Sequence, residues 1–130
     1  MEIKSGTTPT IYINLNGFNL SDVIAAKLTF STSKMKNNVI FIKTKDDMEM
    51  NNDVIEVKLS EQDTIMLNQL NLPQQVVYAQ LRLKDTDNEL YKSDIVEISV
   101  DNLLDGGVFD EQDWYDNEWR KLRSWYEYEF

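Results

Sequence analysis

The sequence contains no cysteine and no histidine among its 130 residues. A thiol nucleophile, an imidazole base and a Cys/His zinc site are therefore excluded, and no disulfide stabilises the fold. No apolar run approaches the roughly 20 residues that span a bilayer, and residues 1–6 lack the apolar centre of a signal peptide. We therefore expect a non-enzymatic protein without cofactor or metal, made in a cytoplasm and independent of membranes.

What is present is typical of a soluble globular domain, with 42% hydrophobic and 28% charged residues. A chain of this length fits one domain with a real core. The net charge of -10 is divided unevenly. Residues 1–100 hold 10 basic and 14 acidic side chains, and residues 101–130 hold 3 and 9, so the short C-terminal part carries -6 of the total. Such a negative field disfavours nucleic acid and anionic lipid as partners.

Three groups of charged residues invite a binding interpretation, and each is weak. The lysines between positions 27 and 45 are interleaved with too few aromatics for a nucleic-acid platform, and a solvated edge is the simpler interpretation. Asp85–Glu89 resembles the start of a calcium loop, but Leu90 stands where glycine is needed and Val96 where a bidentate glutamate belongs. Asp46, Asp47, Glu49 and Asp53 are typical of a solvated loop. The lysines of the first group are Lys27, Lys34, Lys36, Lys43 and Lys45.

Alternating apolar and polar residues predict strands along the first hundred positions. The uniformly apolar start of the third strand predicts a central strand covered on both sides, and Asp46–Asp53 is predicted to be a polar loop. Asn16-Gly17 predicts a turn. The predicted strands are Thr10–Leu15, Ala25–Ser31, Val39–Lys45, Val54–Leu59, Val76–Lys84 and Leu90–Val100.

One short helix is predicted between strands. Ser60 can cap it by accepting a hydrogen bond from the amide of Asp63, and Pro73 prevents its continuation beyond about Asn68. Six or seven strands with one short helix predict an all-β fold, a β-sandwich over residues 1–108.

The remaining segment, residues 109–130, is both acidic and aromatic. Eight of the fourteen aromatic residues lie in it, including all three tryptophans. If Asp110 caps a helix, an apolar stripe forms along one side of an amphipathic C-terminal helix. We expect this stripe to contact a partner. Its residues, with the neighbouring tryptophans, are Trp114, Tyr115, Trp119, Leu122, Trp125, Tyr126 and Phe130.

Three interpretations of the aromatic segment remain open. It can pack onto its own sandwich, dock on a different protein or a second copy, or stack on sugars through its tryptophans. Burying the stripe would contribute several kcal/mol at about 25 cal/mol per Å², and leaving it exposed would create an aggregation-prone patch. Enrichment in Tyr and Trp favours an interface.

Several stretches of residues 1 to about 109 resemble one group of proteins. These stretches are Lys4–Thr10, Leu15–Leu20, Val57–Thr64, Val77–Arg82, and Ser93–Val96 leading to Leu104–Val108. They resemble small virion proteins of tailed bacteriophages from Bacteroidetes and Firmicutes hosts, and the N-terminal immunoglobulin-like domain of phage baseplate upper proteins and related head and tail accessory proteins.

The resemblance implies an immunoglobulin-like module with a structural or attachment role in a virion and no catalytic residues. Expected partners are other virion proteins, including copies of itself, after synthesis in the bacterial host cytoplasm. Phe109–Phe130 lies beyond the resemblance, so the specific partner would be chosen there. Two other classes compete: a carbohydrate-binding host-receptor module, and an acidic decoy that imitates a phosphate surface.

Overall fold

A computed structural model describes residues 1–35, 37–68 and 72–101, and the backbone of residues 127–129. Short connections, including 3-10 turns at Leu20–Asp22 and Lys45–Asp47, join the elements. The elements are β1 (Glu2–Lys4), β2 (Thr10–Asn14), β3 (Val23–Ser31), β4 (Val39–Thr44), β5 (Met48–Asn51), β6 (Val54–Lys58), α1 (Glu61–Leu67), β7 (Gln74–Asp85), β8 (Leu90–Lys92), β9 (Val96–Asp101) and β10 (Glu127–Glu129).

The strands form two mixed sheets. The six-stranded sheet has the order β1-β9-β7-β3-β4, with β8 beside the far end of β7, and the four-stranded sheet has the order β10-β2-β6-β5. The β1–β9 and β10–β2 pairs are parallel, and the other pairs are antiparallel. Among the described residues α1 is the one α-helix, so the prediction of a mostly β protein with a short helix is confirmed.

One core lies between the sheets. Alternation places Ile11 and Ile55 of the four-stranded sheet inward. The six-stranded sheet contributes Leu28, Phe30 and Leu81 to the same core, and all five residues are buried. Phe30 stacks on Phe41 with ring centroids 4.8 Å apart. Since every strand with period-2 alternation turns its apolar side inward, the predicted inward faces of β2, β3, β6 and β7 are confirmed.

Helix α1 begins as the sequence predicts. The Ser60 hydroxyl accepts a hydrogen bond from the Asp63 amide at 3.1 Å, and the Asp63 carboxylate accepts one from the Ser60 amide at 2.8 Å. This reciprocal capping satisfies two backbone donors that the first helical turn leaves free. Inside the helix, buried Thr64 accepts from the Gly6 amide at 2.9 Å and donates to the Thr7 carbonyl at 2.8 Å. The helix thereby fixes the corner between β1 and β2.

The predicted turn at Asn16-Gly17 is also confirmed. Asn16 has φ 39° and Gly17 has φ 85°, the left-handed conformations that asparagine and glycine adopt with least strain. The Gly17 amide donates to the Asp53 carboxylate at 2.9 Å, and the Leu15 amide donates to the Asp53 carbonyl at 2.8 Å. The turn is therefore held by the β5–β6 hairpin.

The prediction that β4 is a central strand is wrong. The strand ends the order of the six-stranded sheet, and Val39 and Ile42 are 49% and 43% exposed. Ile40 and Phe41 pack against the core, so the apolar run belongs to a strand with one inward and one outward apolar side. A continuous apolar run indicates burial on both sides only when another layer covers the outer side.

Three other strand predictions need correction. The predicted polar loop Asp46–Asp53 contains β5, whose Met48 and Met50 alternate with polar residues and pack on the core. The predicted single strand Leu90–Val100 is two strands, because Ser93 hydrogen-bonds with its hydroxyl and amide to the backbone of Leu81 and interrupts the pairing. The N-terminal β1 was not predicted.

The predicted C-terminal helix lies almost wholly outside the described residues. At Glu127–Glu129 the backbone is extended, and it pairs in parallel with Thr10–Tyr12 of β2. The predicted stripe therefore does not continue as helix through these three positions. For residues 109–126 and Phe130 the helix stays a prediction.

Candidate protein-interaction face

The residues predicted to contact a partner all lie outside the part of the chain that the structure describes. They are Trp114, Tyr115, Trp119, Leu122, Trp125, Tyr126 and Phe130. The structure does fix where their segment leaves the body and returns. Asp101 ends β9, with its carbonyl accepting from the Ser5 amide at 3.0 Å, and Glu127 begins β10 opposite Thr10. Both points lie at the Thr64 corner.

The six-stranded sheet has an outer side, here called the basic face, that points away from the core. Alternation places Lys27 and Thr29 of β3 on it, and Tyr78, Arg82 and Lys84 of β7. Register then adds Ile42 of β4 beside Thr29, and Leu90 and Lys92 of β8 beside Lys84 and Arg82. The strands β3, β4 and β8 contain no acidic residue, and β7 has one, its last residue Asp85. On the other side of β7, β9 places exposed Glu97 opposite Tyr78.

Three cations stand in line across this face. Lys27 lies directly opposite Arg82, and Arg82 lies directly opposite Lys92 on the next strand. Side chains in such pairs have Cβ atoms about 5 Å apart, and like charges there are destabilising. We call these three residues the cation row. The cation row is thus a local concentration of positive charge in a chain whose net charge is -10.

No acidic side chain among the described residues forms an ion pair with the cation row. Within those residues the one ion pair joins Lys43 to Asp63 at 2.8 Å, between β4 and α1. Since positive charge without a nearby acid attracts anions, the row is suited to a negatively charged partner.

Two shallow depressions flank the row, and Arg82 lines both. The first, of about 200 Å³, lies between Lys27, Lys84 and Leu90. The second, of about 250 Å³, lies beside Tyr78 and is bordered by Met35, Val39 and Ile95. Because the two depressions share Arg82, we call them together the groove around Arg82. Leu90 lies at one end of it, and Met35, Val39 and Ile95 lie at the other.

The apolar side chains at this groove are unusually accessible. Met35 is 75% exposed and Leu90 66%, and Val39 and Ile95 are 49% and 40% exposed. Covering them would remove apolar surface from water at about 25 cal/mol per Å². Charge and apolar surface side by side indicate a protein-binding surface better than either does alone.

The basic residues named from sequence do not form one patch. Lys27 belongs to the cation row, whereas Lys43 points inward to Asp63 and Lys45 donates to the Val23 carbonyl at 2.9 Å. Lys34 lies 5.7 Å from the centre of the Tyr78 ring, and Lys36 is outside the described residues. Lys27, Lys34 and Lys45 are exposed, as a solvated set predicts, and Lys43 departs from that prediction. Sequence reasoning missed Arg82 and Lys92 because only strand register brings them to Lys27.

The outer side of the four-stranded sheet, here called the acidic face, has the opposite sign. Glu49 of β5 lies directly opposite Glu56 of β6. Asp46 and Asp47 line the same depression of about 290 Å³, with Lys58 at its border. Asp47 accepts from the Thr44 amide at 3.0 Å, so it stabilises the turn. In the described part of the chain, no group of three acidic side chains could hold a metal ion.

The loop Asp85–Glu89 is a hydrogen-bonded turn. The Asp85 carboxylate accepts from the amides of Asp87 and Glu89 at 2.9 and 3.0 Å. The Tyr91 hydroxyl lies 3.0 Å from a carboxylate oxygen of Asp85 and 3.1 Å from one of Glu89. Hydrogen bonds to Asp85 and then Glu89 raise the pKa of Tyr91 to about 12, because only the neutral hydroxyl can donate to these carboxylates and the ionised form would be repelled by them.

No helix in the described ranges has the length and apolar character needed to cross a bilayer. No protein-family model and no curated protein sequence matches this chain.

Proposed function

We propose that this chain is a non-enzymatic structural component of a bacteriophage virion, a capsid, neck, tail or fibre-anchoring accessory protein. It attaches to neighbouring subunits through its sandwich and its acidic aromatic C-terminal segment. The virion setting rests on the resemblance of the N-terminal stretches to phage proteins. The attachment role rests on the surface chemistry of the sandwich. The role requires no cofactor, metal, nucleic acid or membrane.

The strand order supports an immunoglobulin-like arrangement for the sandwich. Immunoglobulin domains pack a sheet of three neighbouring C, F and G strands against a sheet containing B, E and D. Here β3, β7 and β9 neighbour one another in one sheet, β2, β6 and β5 in the other, and β4 extends the first sheet next to β3. The chain crosses between sheets from β2 to β3, from β4 to β5 and, through α1, from β6 to β7.

The observation that carries the attachment role is the basic face. Its cation row and exposed apolar side chains fit a partner that is itself acidic and apolar. The C-terminal segment of this chain has that chemistry, with Trp114, Trp119 and Trp125 set among carboxylates. A subunit that carries both surfaces can contact neighbours on two sides.

The test is recovery of the protein in purified particles. We expect the full chain, supplied during particle assembly, to sediment with particles. A variant with Trp114→Ala, Trp119→Ala and Trp125→Ala should fall about tenfold or more in the particle fraction, because buried tryptophans at interfaces commonly carry over 1.4 kcal/mol each. Quantitative immunoblotting of gradient fractions measures both.

Leu72→Ala is the control, because Leu72 is 45% exposed and lies outside both faces. It should leave particle recovery unchanged. Absence of the wild-type chain from particles, or equal recovery of the tryptophan variant, would contradict the proposal. Tryptophan-dependent binding to a glycan array without particle association would favour the carbohydrate-binding alternative.

A further inference from the structure

We infer that the cation row and the groove around Arg82 receive residues 110–119 of a second copy of this chain. The inference rests on the proposed function, because it specifies one neighbour and the surface that it uses. The contact is head-to-tail, since the groove and the segment are different parts of the same chain. Repeating such a contact builds a ring if the rotation closes, or a filament if it does not.

The first argument is charge. Lys27, Arg82 and Lys92 face one another across three strands, and their neighbours on β3, β4 and β8 include no acid. Repulsion within this row makes the free surface unfavourable. A partner that brings carboxylates relieves the repulsion and gains attraction at the same time.

The second argument is the composition of the segment. Residues 102–119 contain six acidic side chains and no basic one, and three aromatic residues lie within 110–119. The groove matches this composition, with Arg82 in both depressions and Leu90, Val39 and Ile95 at its ends. The acidic face would repel the same segment, because Glu49 and Glu56 already stand opposite each other there.

The third argument is reach, and it decides between the chain's own groove and that of a second copy. Asp101 lies opposite Gln74, and Arg82 is eight positions further along β7, about 26 Å at the rise of a strand. To return, the chain must move about 26 Å back along β7, about 10 Å across two strands and about 10 Å to the other sheet, a straight-line distance of about 30 Å.

An extended chain could make that return, because Asp113 and Glu127 are fourteen positions apart and fourteen extended residues span up to about 50 Å. The predicted helix could not, because the residues from Asp110 to Glu127 would then span only about 25 Å. With the segment helical, as the sequence predicts, a chain that keeps β10 on its own β2 therefore offers its acidic aromatic residues to another copy.

Sedimentation velocity of the full chain over a concentration series tests the contact. We expect the wild type to self-associate and the association to weaken as salt rises, because the paired charges lie at a surface. Lys27→Glu with Arg82→Glu should weaken it about tenfold or more. Lys58→Glu, which reverses an exposed lysine on the acidic face, is the matched control and should leave it unchanged. A wild type that stays monomeric at low salt would overturn the inference.

A charge-exchange experiment makes the test specific. Asp113→Lys with Asp116→Lys should weaken self-association, and mixing this variant with Lys27→Glu/Arg82→Glu should restore association between the two. Lys27 and Arg82 are exposed on the body, and circular dichroism checks the folding of all variants. A mixture that stays dissociated would contradict the contact. Binding of a duplex DNA probe that Lys27→Glu/Arg82→Glu abolishes, with unchanged self-association, would assign the row to nucleic acid instead.

The same variants separate this inference from the proposed function. If Lys27→Glu/Arg82→Glu self-associates like the wild type while particle recovery still depends on the tryptophans, the groove contact is wrong and the virion role stands. If self-association depends on the row but the chain never enters particles, the contact stands and the virion role is wrong.

Discussion

The two outer faces of the sandwich carry opposite charge on closely similar frameworks. On the basic face Lys27, Arg82 and Lys92 align across three strands, whereas on the acidic face Glu49 stands opposite Glu56. Both arrangements place like charges in directly opposed positions, which does not favour folding. Outward charges of this kind are therefore more informative about binding than about stability.

The faces differ in a second respect, the amount of apolar surface beside the charge. Val76, Leu90 and Ile42 are exposed on the basic face. On the acidic face the methionines of β5 pack toward the core instead. In β6, Ile55 and Val57 are buried, and Val54 is half-buried. This difference singles out the basic face for a protein partner, since association needs apolar burial as well as charge.

The largest expected effect concerns the core that holds both faces. Phe30→Ala removes a ring that is fully buried and stacked on Phe41. We expect the free energy of unfolding to fall by about 3–5 kcal/mol. Thermal unfolding followed by circular dichroism should still show one transition, because both sheets share this core. Two separate transitions would contradict a single core and with it the comparison of two faces on one body.

A smaller effect is expected at the ion pair between β4 and α1. Lys43→Met removes the pair of Lys43 with Asp63, in which the two side chains are 19% and 15% exposed. We expect a loss of about 1–2 kcal/mol, between the values for exposed and fully buried pairs. Lys58→Met on the acidic face, measured by the same urea denaturation, should change stability by less than about 0.5 kcal/mol. Equal losses would show that the inward lysine has no special role.

The comparison of charges can be tested by one reversal on each face. Arg82→Glu places a carboxylate between Lys27 and Lys92, and Glu56→Lys places an ammonium group opposite Glu49. Each should raise stability by up to about 1 kcal/mol, since cross-strand repulsion becomes attraction. Only Arg82→Glu should reduce self-association. Loss of stability in both variants would show that neither like-charge arrangement is unfavourable.

The smallest effect is local to the turn between β7 and β8. Hydrogen bonds with Asp85 and Glu89 raise the pKa of Tyr91 to about 12. A raised pKa means that the neutral form is favoured by folding, so this contribution is complete below pH 10, the ordinary tyrosine pKa, and is lost as pH rises toward 12. Titration of tyrosinate absorbance, with Tyr91→Phe as the reference, should show one late-ionising group.

The parts of the fold that could be predicted were those whose signal is local. Alternation gave the inward residues of β2, β3, β6 and β7, and Ser60 marked the start of α1 because its cap partner is three residues away. The Asn16-Gly17 turn follows from backbone freedom at those two residues. In each case neighbours in the chain supply the interaction.

The errors concern elements whose neighbours are distant. The strand β4 has an apolar sequence and still ends its sheet, and β5 lies within a predicted polar loop and still pairs with β6. Ser93 divides the predicted last strand through a contact with Leu81 twelve residues earlier. The predicted interface residues from Trp114 to Phe130 lie outside the described residues and stay a prediction.

The sequence by itself determined a mostly β body, its inward residues, its helix cap and an acidic aromatic segment after it, because composition and short-range periodicity carry that information. Only the tertiary structure decided which strand lies at an edge and which charges meet. Lys27, Arg82 and Lys92 are up to 65 positions apart, from 27 to 92, and they become neighbours through the β3–β7–β8 register. Strand pairing is a long-range choice, made by the shared core, so the cation row has no signature along the chain.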